Sequence, residues 1–296
     1  MKKVLITGAE SYIGTTFEDW IRDNSISIIT ETQDMKDPAW KKRDFRDFDA
    51  VFHVAGIAHA DVGKVTEEQK TLYYRVNTDL AIECALKAKE EGVRQFIFMS
   101  SIIVYGDSAP IGKERVITRD TPLAPANFYG DSKVKAEKGL QKLEDDNFKV
   151  VILRPPMVYG KGSKGNYPLL AKIARKLLFF PDVDNLRSML YVENLCKFVS
   201  LMIENEERGI FFPQNSVYVR TSEMVKQIAV VHGKNIHLVK VFNPFLRLLG
   251  ASSGRLGGLV NKAFGNIVYE KELGKYKSSY EIVEFKESIE LTELSN

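Results

Sequence analysis

The chain opens on Val4-Leu5-Ile6-Thr7-Gly8-Ala9-Glu10-Ser11-Tyr12-Ile13-Gly14, a short apolar run, a glycine turn and the start of an amphipathic pattern reaching about Asn24. A buried strand that passes through glycine into a helix start leaves few folds open. Backbone N–H groups and the positive end of the helix dipole point at an anion there, and small residues let a pyrophosphate come close. The feature predicts the first strand of a parallel sheet and a dinucleotide cradle. Its spacing is Gly8-x-x-x-x-x-Gly14, with Ser11 where a middle glycine is usual.

The pattern then repeats. Ile26-Ser27-Ile28-Ile29-Thr30 reads as a second strand followed by Glu31, with Thr30 and Thr32 flanking that acid. An acid at this strand's tip accepts hydrogen bonds from ribose hydroxyls and repels a 2′-phosphate, which favours NAD over NADP. Asp34-Met35 suits an adenine contact, carboxylate to amine and Met against the ring. Asp49-Ala50-Val51-Phe52-His53-Val54 reads as a third strand running into Ala55 and Gly56, small enough to pass close to a cofactor. His53 lies inside this buried strand and reads as a satisfied core residue, and His59 in the next loop has no identifiable partner. Residues 67–91 predict one long helix with Asn77 near its middle. A fourth strand over residues 93–99 ends in Ser100-Ser101, and hydroxyls at the C-terminal end of a parallel strand face the ligand crevice.

A further helix, residues 129–144, begins with Tyr129 and Lys133, four apart and so on one face. The ammonium is expected to lower the phenol from its ordinary value of about 10, letting it take a proton from an alcohol while hydride leaves the same carbon. The fifth strand, residues 149–154, runs into Pro155-Pro156. Strands alternating with helices to this point predict an α/β fold, a Rossmann-type doubly wound parallel sheet. Beyond Gly160 the pattern loosens, and the tail, with a basic, loop-rich piece over residues 247–262, reads as a smaller C-terminal lobe.

Composition excludes several classes. With 44% hydrophobic and 27% charged residues and a net charge of +3, the chain reads as globular and offers nothing for nucleic acid as main partner. Cys84 and Cys196 are far apart in apolar patterns, without metal-ligand spacing, and read as buried thiols of a reducing compartment. The opening apolar run stops at Thr7 without a cleavage-like sequence, and no apolar stretch approaches a membrane span. The expectation is a cytoplasmic protein without metal or membrane partner.

Taken together the motifs carry a resemblance. Thr7-Gly8-x-x-Ser11-x-x-Gly14, Asp49-x-x-x-His53-x-Ala55-Gly56, Asn77, Ser100-Ser101-x-x-Val104-Tyr105-Gly106, Tyr129-x-x-x-Lys133, Arg154-Pro155-Pro156-x-Val158-Tyr159-Gly160 and Arg187-Ser188-Met189-Leu190-Tyr191 come in one order. In this order the chain resembles the extended short-chain dehydrogenase/reductases, the NAD-dependent epimerase/dehydratase group acting on nucleotide sugars. The resemblance implies an NAD-binding domain of residues 1–155 plus about 189–232, and a substrate lobe of about 156–188 plus 233–296. It implies that Gly8, Ser11, Tyr12, Ile13 and Gly14 line the pyrophosphate and that Glu31 holds the ribose. Asp34, Met35, Ala55, Gly56, Asn77 and Pro156 join them around the cofactor. Tyr129 would be the base, Lys133 would bind the nicotinamide ribose and tune it, and Ser101 would bond the hydroxyl being oxidised. Arg187 would contact the substrate's phosphate, for which its fork is suited, and Asn166 the uridine diphosphate.

The implied activity is a nucleotide-sugar 4-epimerase, UDP-hexose or UDP-N-acetylhexosamine, passing through a transient 4-keto sugar in a homodimer paired through residues 77–91 and 129–144. Two rivals stand beside it: a reductase of a 4-keto nucleotide sugar or other ketone, and a dinucleotide-sensing protein without chemistry. Two positions depart from the pattern, Ser11 for the middle glycine and Met157 where many members carry a substrate-touching asparagine.

Overall fold

The computed structural model describes residues 1–58, 66–252 and 254–294; His59 lies outside them. Six parallel strands form the central sheet: β1 (Lys2–Thr7), β2 (Ile28–Gln33), β3 (Ala50–His53), β4 (Gln95–Met99), β5 (Lys149–Leu153) and β6 (Gly209–Phe211). Their order is β6-β5-β4-β3-β1-β2. The inner strands are near-continuous apolar runs, as expected of a sheet covered on both faces. From β1 the chain first steps outward to β2, then crosses back to β3 on the other side. That reversal opens a crevice beyond the C-terminal ends of β1 and β3. Thr7, the last residue of β1, stands opposite Gln33 on one side and His53 on the other.

One face of the sheet packs on α1 (Tyr12–Asp23), α5 (Asn166–Lys176), α6 (Val192–Glu204) and α7 (Thr221–Val231), in a core that includes Val4, Ile6, Phe17, Leu170, Leu195 and Val225. The other face carries α3 (Leu80–Glu90) and α4 (Phe128–Gln141) over Leu5, Val51, Phe96 and Ile152. The long helix expected over residues 67–91 is interrupted. A Thr66–Gln69 capping box starts α2 (Glu67–Tyr74), and a π turn, Arg75–Asp79, joins it to α3. The wide turn seats Asn77 over the loop after β3, the kind of place where such bulges recur. The segment expected to be loop-rich near residues 247–262 is instead helical, as α8 (Asn243–Ala251) and α9 (Arg255–Phe264), before the final α10 (Phe285–Leu294).

The attachment of α4 to the sheet is ionic. Glu137, in the middle of α4, accepts from Arg154 Nη2 at 2.6 Å and Nε at 3.1 Å, and both side chains are buried. Ser100 donates its hydroxyl to the same carboxylate, and Arg154 Nη1 donates to Tyr105 Oη at 2.6 Å. Tyr269, from the tail, closes the network by donating to the carbonyl of Arg154 at 2.8 Å. Removing one member of such a pair leaves the other charge buried and uncompensated. Arg154→Met should therefore lower unfolding free energy by about 3–5 kcal/mol, measured by urea denaturation; a loss below about 1 kcal/mol, the worth of an exposed pair, would show that the pair does not carry this attachment.

Candidate active site

The crevice is built from strand ends upward. Gly8 follows β1 with φ of +118°, and a Cβ there would lie 2.7 Å from the Ala55 nitrogen, so β1 and the loop after β3 touch backbone to backbone. Ser11 has ordinary extended angles, φ −72° and ψ 135°, and needs no glycine. Its hydroxyl caps α1 by accepting from Gly14 N at 3.1 Å. The side chain at this departure from the usual pattern thus completes the helix start. Tyr12 lies beneath Gly160, and burial raises its phenol well above the ordinary range.

Four groups meet on the α4 side. Tyr129, in the first turn of α4, is partly exposed to the crevice, lies near the Ser101 hydroxyl, and stands edge-on to Tyr73 at 6.2 Å between centroids. Burial, then Tyr73, push its phenol up to about 12, against the downward pull of Ser101. Lys133, one turn on, is buried, with Nζ donating to the Met99 carbonyl at 2.8 Å and lying 4.6 Å over the Phe98 ring. Burial pulls its ammonium down to about 8, with Glu137 pulling the other way. A Cβ on Gly56 would sit 3.1 Å from Asn77 Oδ1 and 3.4 Å from Lys133 Nζ. Asn77 fixes that loop, donating to Ile57 O and to Ser132 Oγ and accepting from Ile57 N at 2.8 Å. The expected lowering of Tyr129 by Lys133 is absent. The ammonium is turned to the end of β4, and loss of solvation dominates at the phenol.

His53 is the core residue the strand pattern implies. Nδ1 bonds Thr7 Oγ1 at 2.7 Å, the ring stacks on Phe96, and burial, with Lys133 nearby, drops its pKa to about 3. Neutral imidazole at working pH makes it packing rather than a proton carrier.

Other expectations need correction. Glu31 does not follow β2 but lies within it, paired with Leu5 of β1. Strand alternation puts it on the face away from α1, where it is held by Lys3 at 2.9 Å and Arg43 at 2.5 Å. Its neighbour Thr32 faces α1 and donates to Glu18 at 3.3 Å. Met35 is buried in the core cluster containing Leu5 and Trp40, and Asp34 accepts from the Lys36 amide in a turn. Met35 thus turns its side chain into the core, while Asp34 stays exposed. Asn166 is the first residue of α5 rather than part of the loop before it. Arg187 bridges backbone to Val219 and Ile267 and is bonded through Nη1 to the Lys262 carbonyl at 2.7 Å. Loss of solvation pulls it down to about 10, and among the described residues no carboxylate forms an ion pair with it. Pro156 is buried beyond β5, and the Pro155 carbonyl accepts from Ile102 N at 2.9 Å, tying the Ser101 segment to that strand end.

The comparisons with known proteins agree with this geometry. A model of the NAD dependent epimerase/dehydratase family matches residues 4–212. The chain belongs to that family. The epimerase is 31% identical over 254 residues to a UDP-glucose 4-epimerase of Vibrio cholerae, covering 79% of this chain and 76% of that one. It is 30% identical to the N-acetyl-alpha-D-glucosaminyl-diphospho-ditrans,octacis-undecaprenol 4-epimerase of Escherichia coli O157:H7, covering 70% of this chain and 64% of that protein. Its fold matches the UDP-glucose 4-epimerase of Thermus thermophilus, solved with NAD, with a TM-score of 0.73 and 20% identity over 98% of this chain and 97% of that one.

NAD is the epimerase's cofactor. The residues fit it: a glycine whose Cβ would strike the β3 loop, a capped helix start beside it, and Tyr129, Lys133 and Asn77 around the mouth. Two groups that order the site were not singled out in the sequence, Glu137 and Tyr73, and Ser100 was read there only as a strand-end hydroxyl. Glu137 had a usable signal, lying four residues beyond Lys133 on the same helix face. Because Glu31 is ion-paired on the far face, Glu31→Gln should leave NAD affinity within about threefold, the worth of one exposed pair. A tenfold or larger loss in a calorimetric titration would return the ribose contact to Glu31.

Proposed function

We propose that this epimerase inverts C4 of a UDP-linked hexose or N-acetylhexosamine through a transient 4-keto sugar. The observation that carries the reading is the placing of Tyr129 and Ser101 together at the crevice, beside a buried Lys133 and without an acid next to Ser101. When bound, NAD would supply the hydride acceptor and donor and, in its oxidised form, a positive charge. Tyr129 takes the proton of the C4 hydroxyl as hydride leaves that carbon. Ser101, beside Tyr129, holds the same oxygen. The phenol, high in the free protein, comes down when positive charge enters beside it. After the keto sugar turns over, Tyr129 gives the proton back to the C4 oxygen as hydride arrives on the other face.

Arg187, half-buried and without an acid partner among the described residues, suits the substrate's diphosphate, and Thr32 near the end of β2 suits the adenosine ribose. The outer faces of α2–α3 and α4 are proposed as the two-fold contact of a homodimer.

The alternative fates of the keto sugar differ in the groups they need. Elimination of water requires one titratable group to protonate the leaving hydroxyl and another to take the C5 proton. In family members that dehydrate, an acidic pair follows the hydroxyl residue; here Ile102 and Ile103 fill those slots, and neither moves a proton. A second reading keeps the chemistry and changes the carrier, a lipid diphosphate in place of the nucleoside diphosphate. The relative acting on an undecaprenol-linked sugar favours it, as does the position of Arg187 against α9.

Two outcomes test the proposal. Tyr129→Phe should retain NAD and lose about two to four powers of ten in turnover, the usual worth of a general acid/base; near-normal turnover would remove Tyr129 from the mechanism. Incubation of the wild-type protein with UDP-glucose or UDP-N-acetylglucosamine should give the 4-epimer and no 4-keto-6-deoxy sugar by NMR. A dehydrated product without epimer would contradict the roles given to Ile102 and Ile103.

A further inference from the structure

Helices α8 and α9 are apolar on the wrong side. Their inner faces join the core through Leu246, Val260 and Phe264. Their outer faces should then be polar, yet Phe245 and Leu248 on α8 are 61% and 71% exposed, with Val241 just before the helix 76% exposed. On α9, Leu256 and Leu259 are 65% and 55% exposed. The two helices are fixed together, with Asn261 Nδ2 donating to the Gly250 carbonyl at 2.8 Å. Phe179, which begins the short strand Phe179–Pro181 beside His237–Val239, and Leu178 before it are also exposed, and His237–Val239 leads into α8.

Charge marks the same piece of chain. Residues 224–269 contain six basic side chains and no acidic one, while the rest of the chain is net negative by three. Among the described residues, Lys240, Arg247 and Lys262 have no carboxylate partner. An exposed apolar stripe with uncompensated bases around it fits poorly against a second copy, whose identical face would bring like charges together. It fits an interface that is apolar within and anionic at its surface.

We propose that the α8–α9 hairpin docks this enzyme on an anionic lipid bilayer, lying in the interface with Phe245, Leu248, Leu256 and Leu259 among the acyl chains and the bases at the headgroups. No described helix is long and apolar enough to cross a membrane, so the contact is a surface one. The docked hairpin ends beside Arg187, which is bonded to the carbonyl of Lys262 in α9 and is the residue proposed to hold the substrate's diphosphate. Substrate diphosphate would therefore be bound close to the membrane plane. The docking does not depend on which sugar or carrier is turned over.

Flotation of the full chain with vesicles tests it. The protein should bind vesicles of equal parts phosphatidylglycerol and phosphatidylcholine at least about tenfold more strongly than phosphatidylcholine alone, and should come off as salt rises. The double variant Phe245→Ser/Leu248→Ser should lose at least about tenfold in partition, as two apolar anchors are withdrawn. Lys240→Glu/Arg247→Glu should lose binding to the anionic vesicles alone, giving a second test should the first variant not fold. Wild-type protein that stays off anionic vesicles, or variants that bind as well as wild type, would overturn the proposal. So would light scattering in which Phe245→Ser/Leu248→Ser splits a dimer while wild type ignores vesicles, which would make the face an interface between copies.

Discussion

Glu137 and Arg154 bury opposite charges between α4 and the end of β5, and the catalytic side of the crevice depends on that contact. Two charges removed from water are costly unless each is fully bonded. Here the carboxylate takes both Arg154 contacts and the Ser100 hydroxyl, and the guanidinium adds Tyr105. The geometry therefore has one satisfied arrangement. It fixes the height and rotation of α4, and with them Tyr129 and Lys133, two turns and one turn before Glu137. Because Ser100 belongs to the network, its neighbour Ser101 is carried to the same place. The tail joins in through Tyr269, so the C-terminal lobe is referenced to the strand end that bears the chemistry.

Electrostatics in the crevice follow from the same burial. Lys133 and Tyr129 are each shifted toward their neutral forms, the ammonium down to about 8 and the phenol up to about 12. The free site thus disfavours charge more than water does, although an ammonium with a pKa of about 8 still holds its proton at pH 7. An added positive charge beside the phenol changes the balance more in such a place than in solvent. A mechanism in which proton and hydride move together, and both return, suits a pair of groups poised in this way.

Much of this was legible in the chain, for identifiable reasons. The strand, glycine turn and helix at residues 4–24 could be read because a continuous apolar run and Gly8 admit one backbone path. Tyr129, Lys133 and Ser101 could be read because a helix face and a strand end are fixed by spacing alone. Glu31 was misplaced because an exposed strand, Ile28–Gln33, continues through polar residues that look like its end, and a shift of one residue changes the face. Met35 looked available for adenine because sequence does not show Trp40 and Phe45 folding over the same core. The π turn at Asn77 left no local mark, since it is set by the tertiary bonds of that side chain to Ile57 and Ser132. The tail was read as loop because α8 and α9 carry glycines, Gly250 in one and Gly257 and Gly258 in the other, which weaken the helical signal of the apolar spacing.

The central claim is that hydride leaves and returns to the same carbon within one active site held by these residues. It is tested most directly with UDP-N-acetylglucosamine or UDP-glucose carrying deuterium at C4, incubated without added cofactor. The account predicts that the 4-epimer forms with deuterium still at C4, read by NMR. Loss of the label to solvent, or a product formed only when reduced cofactor is supplied, would contradict it.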